Sequence, residues 1–153
     1  IAGFMSALVL NMASPLCGSK NIPAPVWVVF SGHTELRILK WLRTGFRHCF
    51  LIMRAGGRWL SYDPLSHCTE IRFYSDLDAG FDLPGWLEKQ GCVVVKTVPR
   101  KAPQKPAPIM IFTCVEAIKR ALGIHKASIV TPWQLYKFIN KNSSMKGDFQ
   151  WEA

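Results

Sequence analysis

A run of three strand-like segments separated by two turns constrains the fold more than any other feature of this sequence. The segments are rich in β-branched and aromatic residues and read FRHCFLIMR (Phe46–Arg54), RWLSYD (Arg58–Asp63) and TEIRFY (Thr69–Tyr74). Gly56 and Gly57 separate the first two, which predicts a β-hairpin, and a break at Pro64 precedes the third. Because strands joined by short turns pair antiparallel, we expect an antiparallel sheet.

The rest of the chain predicts elements that complete a single α+β domain. Strands are expected at Val26–Ser31 and Cys92–Val98, and helices at His33–Thr44, Asp82–Gln90 and Pro132–Lys141. A length of 153 residues suits one domain, and the sequence has neither an internal repeat nor a second apolar core. We expect the domain to span 26–141, between a lead segment (1–25) that is flexible or partly foreign to the natural chain and a frayed tail (142–153).

One further helix begins at a cysteine, in the stretch FTCVEAIKRALGI (Phe112–Ile124). Thr113 and Glu116 have the T-x-x-E spacing of a capping box, so Thr113 is the expected N-cap and Cys114 the first helical residue. Apolar residues recur at helical spacing, and Gly123 provides the stop. The unpaired N–H groups and the dipole at a helix N-terminus favour a thiolate, which makes Cys114 a candidate nucleophile. The alternative is a buried thiol that only packs.

A thiol nucleophile needs a base, and His48 is the best placed of the four histidines. The other three lie in a predicted turn or next to predicted helix ends. Alternation along the strand puts His48 on one face with Phe46, Phe50 and Ile52, and puts Arg47, Cys49, Leu51 and Met53 on the other. A histidine on such an aromatic face is either a core residue with satisfied hydrogen bonds or a base that faces whatever packs on the sheet.

A third polar group is needed to orient the histidine. If the second strand pairs with the first through the glycine turn, Asp63 is the carboxylate nearest to His48. Alternation puts Tyr62, rather than Asp63, on the face of Leu60, so a bulge near the strand end is expected to turn Asp63 toward the histidine. Tyr62 is the alternative orienting residue.

The candidate motifs follow one another in an unusual order. FRHCFLI carries a histidine on a strand, RWLSYDP ends a second strand in a polar residue, and only later does FTCVEAIKRALGI open a helix with a cysteine, followed by TPWQLYKFI. Over residues 26–139 this order resembles the circularly permuted branch of the NlpC-like, papain-fold cysteine peptidases, in which the histidine precedes the cysteine. The resemblance implies a cysteine helix packed against an antiparallel sheet, with Cys114 as nucleophile, His48 as base and Asp63 or Tyr62 as orienting residue.

The same resemblance implies acyl transfer through a thioester. The thiolate attacks an amide or ester carbonyl, peptidoglycan peptide bonds are the commonest substrate that the resemblance implies, and neither a cofactor nor a metal is expected. The papain-like glutamine donor to the oxyanion is not identifiable, so the amide of Cys114 is one donor and Ser31 a candidate second. Trp133 and Tyr136 either line a substrate groove or pack beneath the cysteine helix.

The chain carries an excess of positive charge. Its 19 lysines and arginines against 10 aspartates and glutamates give a formal net charge of +9, which predicts an anionic partner, such as an acidic cell-wall polymer or an anionic lipid. A peptide-containing substrate is what the resemblance implies. Nucleic acid is disfavoured because no nucleic-acid-binding motif is present. Five cysteines without a regular framework predict a reducing compartment, hence the cytoplasm by default, with export by a partner system as the alternative. Neither a signal peptide nor a transmembrane segment is expected.

Two other functions fit parts of the sequence. The pairs His48-Cys49 and His67-Cys68, together with Cys92, supply the ligand types of a zinc site. Adjacent strand residues point to opposite faces, so each pair offers one ligand at most, and zinc is disfavoured. The stronger alternative is a papain-like binding or structural module without activity, such as a component of a phage or secretion assembly.

Overall fold

The computed structural model describes residues 24–33, 40–100, 103, 106 and 111–143. The predicted lead segment and tail lie almost wholly outside these ranges, as does most of the helix predicted at His33–Thr44. The described residues form five strands: β1 (Val26–Ser31), β2 (His48–Ala55), β3 (Arg58–Pro64), β4 (Thr69–Tyr74) and β5 (Val93–Thr97).

The described end of the helix predicted up to Thr44 is not α-helical, so that part of the prediction is wrong. Lys40 and Trp41 lie in a 3₁₀ turn. A tight turn follows, in which the N–H of Phe46 donates to the carbonyl of Arg43 at 2.9 Å, with Gly45 at a φ of 83°. Glycine adopts this left-handed conformation without steric cost, and the chain can reverse there and enter the sheet.

The five strands make one antiparallel sheet in the order β4-β3-β2-β1-β5. The predicted run of consecutive strands is confirmed as β2, β3 and β4. The hairpin between β2 and β3 turns at Gly56 and Gly57, whose φ values of 58° and 80° are both in the left-handed region. Hairpin turns with two such residues match the twist of the flanking strands, which is why this glycine pair predicts the hairpin correctly.

Within the described ranges, three helices pack on the sheet: α1 (Leu83–Lys89), α2 (Cys114–Ala121) and α3 (Pro132–Ser143). Helix α2 contacts β2 and β3, while α3 contacts β5. The predicted class is therefore confirmed as α+β, with an antiparallel sheet packed against the cysteine-bearing helix.

The two faces of the sheet bury different amounts of apolar surface. The larger core lies under α2 and α3, and it joins Val28, Phe30, Cys49 and Leu51 of the sheet to Val115, Ile118, Leu135 and Ile139 of the helices. A smaller cluster on the opposite face joins Val29, Ile52 and Trp59 to Leu83 of α1. Each fully buried side chain of this size contributes roughly 1.5–3 kcal/mol, so α2 is held firmly against β2.

Phe46 departs from the predicted alternation. Strand β2 begins only at His48, so Phe46 precedes the pleat and is free to turn to the other face. Its ring packs in the larger core against the rings of Phe30, Trp133 and Tyr136, with centroid separations of 5.6, 4.8 and 4.9 Å. Phe50 does lie beside His48 as alternation predicts, with the two ring centroids 6.3 Å apart.

Candidate active site

The first turn of α2 presents Cys114 to the sheet. Thr113 is the N-cap, in extended backbone with φ −119° and ψ 169°, and its Oγ1 accepts a hydrogen bond from the N–H of Glu116 at 3.3 Å. Val115 and Ile118, which are buried in the larger core, fix the rotation of the helix. The side chain of Cys114 packs against the same core from the first helical position, as the T-x-x-E spacing predicts.

A buried ion pair ties α2 to the loop that precedes α3. The carboxylate of Glu116 does not complete the capping box; it accepts hydrogen bonds from Lys119 Nζ at 2.8 Å and Arg120 Nε at 3.0 Å. Lys119 also donates to the carbonyl of Ile129 at 3.2 Å. Glu116 and Lys119 are only 4% and 2% exposed, so removing either partner would leave a buried charge at a cost of about 3–5 kcal/mol. The network holds the helix start, and with it Cys114, in one position.

His48 lies at the end of the sheet where β2 and β3 separate. It is the first residue of β2 and is paired with Ser31 of β1. The register between β2 and β3 runs from Ala55–Arg58 only as far as Leu51–Tyr62, so the beginning of β2 is not paired with β3. The side chain of His48 is 18% exposed, which leaves the imidazole reachable from solvent.

Asp63 is hydrogen bonded to His48. The imidazole Nε2 lies 2.6 Å from Oδ1 of the carboxylate, a short separation of the kind that charged partners favour. Tyr62 lies opposite Leu51, so alternation turns the next residue, Asp63, to the other face of the sheet, where Phe50 and His48 lie.

The bulge expected from the sequence is not needed. Strand β3 keeps a regular register with β4 through Asp63–Glu70 and Pro64–Thr69. Asp63, and not Tyr62 or Leu60, is the residue of this part of β3 that shares a face with the histidine. Tyr62, the alternative orienting residue, instead packs against the larger core.

The surroundings of Cys114 lower its pKa to about 5. The largest cause is a hydrogen bond from the thiol of Cys49; burial opposes it, and the hydrogen bond and charge of His48 and a hydrogen bond to the backbone of Cys49 add to it. Each donor stabilises the thiolate over the thiol, and together they exceed the cost of burying the charge.

The pKa values of the two neighbouring groups move upward. Burial disfavours the imidazolium of His48, but hydrogen bonds and charge interactions with Asp63 and Cys114 outweigh it and raise its pKa to about 9. For Cys49, burial is the largest cause and the proximity of Cys114 adds to it, so the pKa of this thiol lies well above its ordinary value. At neutral pH the site therefore holds a Cys114 thiolate, a His48 imidazolium and a neutral Cys49 thiol.

The predicted substrate-binding residues lie in different surroundings. Ser31 is 7% exposed; its Oγ accepts a hydrogen bond from the N–H of His33 at 3.1 Å and also interacts with Cys92 on the α1 face. Trp133 and Tyr136 stack on each other with centroids 5.3 Å apart, and the guanidinium of Arg43 lies 3.8 Å from the centre of the Trp133 ring. Their roles toward a substrate stay predictions.

The histidine–cysteine pairs do not come together. His67 and Cys68 are exposed in the turn between β3 and β4, whereas Cys92 packs beside α1. In the part of the chain that the structure describes, no three His, Cys, Asp or Glu side chains are grouped so as to hold a metal ion.

Cys49 is a neighbour of Cys114 that the sequence motifs do not identify. Alternation places it on the face of Leu51 and opposite His48, and this placement is correct. As a base, His48 is predicted to face the element that packs on its own face of the sheet. Because His48 is at the strand end, its imidazole and the buried thiol of Cys49 both interact with Cys114. The signal that could have found Cys49 is its position on the face that an apolar helix must cover.

The site brings a strand-borne histidine and carboxylate to a helix-borne cysteine, in the chain order His, Asp, Cys. Comparison of the chain with protein-family models, with curated proteins and with solved structures finds no match. Among the described residues, no helix has the length and apolar character required to cross a bilayer.

Proposed function

We propose that this protein is a cysteine hydrolase that cleaves amide bonds, and ester bonds where the leaving group allows, through a thioester. The observation that carries the proposal is the hydrogen-bonded pair of His48 and Asp63, 2.6 Å apart, beside a cysteine whose pKa is lowered to about 5. Strongly shifted pKa values of opposite sense in one small group of residues are typical of catalytic sites. A structural thiol has no need of such a partner.

The first half of the reaction forms the thioester. The Cys114 thiolate attacks the carbonyl carbon, and its electron pair forms the C–S bond while the carbonyl π electrons move to oxygen. The His48 imidazolium then gives its proton to the leaving nitrogen, the C–N bond breaks and the amine departs. Asp63 keeps the imidazole oriented and stabilises its charged form.

The second half hydrolyses the thioester. His48, now neutral, accepts a proton from water as the water oxygen attacks the carbonyl carbon. The tetrahedral intermediate collapses with cleavage of the C–S bond, which releases the acid and restores the thiolate and the imidazolium. The N–H groups of the first helical turn lack partners within the helix, so the amide of Cys114 is available to stabilise the oxyanion in both halves.

We propose a peptidoglycan peptide, or a related peptide carried by an anionic polymer, as the substrate. Two features support this choice. The order of motifs resembles the permuted NlpC-like peptidases, and the net charge of +9 favours binding to an acidic polymer. The described cysteines are all free thiols, which fits a thiol mechanism in a reducing compartment.

The direct test is hydrolysis by the full chain and by Cys114→Ala. The wild type is incubated at pH 7 with soluble muropeptides and, separately, with p-nitrophenyl acetate, and the mixture is analysed for released amine or nitrophenol and for an acylated protein by intact mass spectrometry. We expect turnover and an acyl adduct on Cys114 in the wild type. Cys114→Ala is expected to show neither, with a rate at least about 10³-fold lower.

Cys68→Ala is the matched control, since Cys68 is an exposed thiol in a turn. It should retain full activity and the adduct. A wild-type protein whose ester and amide turnover equals that of Cys114→Ala would instead support the alternative of an inactive papain-like binding module.

A further inference from the structure

Cys49 lies on the sheet face that α2 covers. It is the second residue of β2, is paired with Phe30 of β1 and is 0% exposed. Its side chain belongs to the larger core, on the sheet face that α2 covers, and Cys114 packs against that same core from above. The two cysteines are thus held on facing elements of one core, Cys49 by a strand and Cys114 by a helix.

The interaction between Cys49 and Cys114 is a polar one. Both the thiol and the backbone of Cys49 hydrogen bond to Cys114. Its thiol stays protonated because burial disfavours the charged form and the neighbouring Cys114 adds to the effect. A thiol that keeps its proton beside a thiolate can only donate.

We propose that Cys49 is a positioning residue of the proposed hydrolase. Its S–H group donates a hydrogen bond to the Cys114 sulfur, which keeps that sulfur as a thiolate and fixes its orientation. The inference rests on the proposed function. It assigns to Cys49 a role that the histidine and the carboxylate cannot fill, since those two residues approach from the separated ends of β2 and β3 whereas Cys49 approaches from the sheet face.

The arrangement has a chemical advantage in a buried site. A thiolate set into an apolar core needs donors on its protein side, or the charge is unstable there. A water molecule would compete as a nucleophile, and a buried lysine would need a carboxylate partner of its own, as Lys119 has in Glu116. A buried thiol supplies a weak donor that releases the sulfur when the C–S bond forms, and its own raised pKa keeps it from being acylated in place of Cys114.

The test compares three substitutions of Cys49 in the full chain. Cys49→Ala and Cys49→Val remove the donor, with Val filling the space that Ala leaves empty, whereas Cys49→Ser keeps an O–H donor at the same position. The pKa of Cys114 is read from the rate of alkylation by iodoacetamide between pH 4 and 9, followed by peptide mass spectrometry. Cys92→Ala is the matched control, because Cys92 is a partly buried thiol on the opposite face.

We expect the pKa of Cys114 to rise by about one unit in Cys49→Ala and Cys49→Val, which is about a tenfold loss of thiolate on the acid side of the titration. Cys49→Ser and Cys92→Ala should stay close to the wild type. Far-UV circular dichroism at each pH establishes that each variant is folded, and Val serves where Ala leaves a destabilising cavity.

Failure of this inference can be distinguished from failure of the proposed function. If wild-type Cys114 titrates near about 8.5, the proposed function fails and the inference falls with it. If wild-type Cys114 titrates near pH 5 and both Cys49→Ala and Cys49→Val do so too, the role of Cys49 is overturned while the hydrolase stands. If Ser raises the pKa as much as Ala and Val, packing rather than donation is the cause, and the inference is again overturned.

Discussion

Cys114 and Cys92 are both partly buried thiols, and they lie on opposite faces of the same sheet. Burial raises the pKa of Cys92, and its hydrogen bond with Ser31 lowers it less than burial raises it. The pKa of Cys114 falls to about 5 although burial opposes this too. A single neutral hydroxyl therefore cannot make a buried thiolate, whereas a protonated imidazole together with two hydrogen bonds from one strand residue can.

The difference predicts a large gap in reactivity. At pH 6 about nine-tenths of Cys114 should be thiolate, against less than about one thousandth of Cys92. The lower intrinsic nucleophilicity of a low-pKa thiolate reduces this advantage by up to roughly two orders of magnitude. Alkylation of Cys114 should thus be about tenfold faster than that of Cys92 at this pH.

Replacing His48 by alanine is expected to reduce this difference and to have the largest effect on hydrolysis. Without the imidazolium, the pKa of Cys114 should rise, although the larger hydrogen-bond contribution of Cys49 remains, and alkylation of Cys114 by iodoacetamide at pH 6 should slow toward that of Cys92. Amide hydrolysis should fall by about 10²–10⁴-fold, because the general acid and base is lost. Peptide mass spectrometry gives both alkylation rates from one sample.

His67→Ala is the control for this experiment, since His67 is exposed in the turn between β3 and β4. It should leave both rates unchanged. Retention of a tenfold advantage for Cys114 in His48→Ala would show that Cys49 and the helix start are sufficient without the histidine.

Asp63→Asn should reduce the rate of hydrolysis without abolishing it. The wild-type rate should rise with pH through about 5 as Cys114 loses its proton, and fall through about 9 as His48 loses the proton that the leaving group needs. The carboxylate of Asp63 raises the pKa of His48, so its removal should move the falling limb to lower pH and reduce the maximal rate by about 10²-fold.

The measurement is kcat/KM against pH for both proteins with the same ester or amide. Asp82→Asn is a suitable control, because Asp82 caps α1 on the opposite face. An unchanged falling limb in Asp63→Asn would mean that Asp63 does not set the protonation of His48.

Of these substitutions, Ser31→Ala should have the smallest effect, and it should change the pKa of Cys92 alone. The hydroxyl lowers the pKa of Cys92 against the larger effect of burial, so its loss should raise that pKa further and slow the already slow alkylation of Cys92. The alkylation rate of Cys114 should not change. A drop in hydrolysis with unchanged Cys114 alkylation would instead support the predicted role of Ser31 in stabilising the oxyanion.

The sequence predicts the elements around the site well, because their signals are local. A glycine pair at a hairpin turn and a T-x-x-E spacing at a helix start depend on a few neighbouring residues, and the structure confirms the hairpin and the start of α2 at Cys114. The Glu116 side chain does not complete the predicted capping box, and the reason is a long-range contact. Glu116 is buried beside Lys119 and the loop at Ile129, and that ion pair outcompetes the cap.

Side-chain direction at strand ends is predicted less well. The face of Asp63 depends on the pairing of Leu51 with Tyr62, and alternation within one strand does not give this register. Alternation predicts the wrong face for the Phe46 side chain, because β2 begins only at His48 and Phe46 lies outside the strand. Cys49 was placed on the correct face, but the sequence could not show that α2 would bring Cys114 to it.

Because the site is divided between a hairpin and a later helix, Cys114 acquires its low pKa late in folding. His48 and Asp63 lie in strands that are neighbours in sequence and can pair early, whereas Cys114 joins them only when a distant helix docks on the sheet. The hairpin also leaves the ribosome before the helix is made. The low pKa of Cys114 therefore arises only in chains that have completed this long-range contact, so that nascent or misfolded copies carry an ordinary thiol.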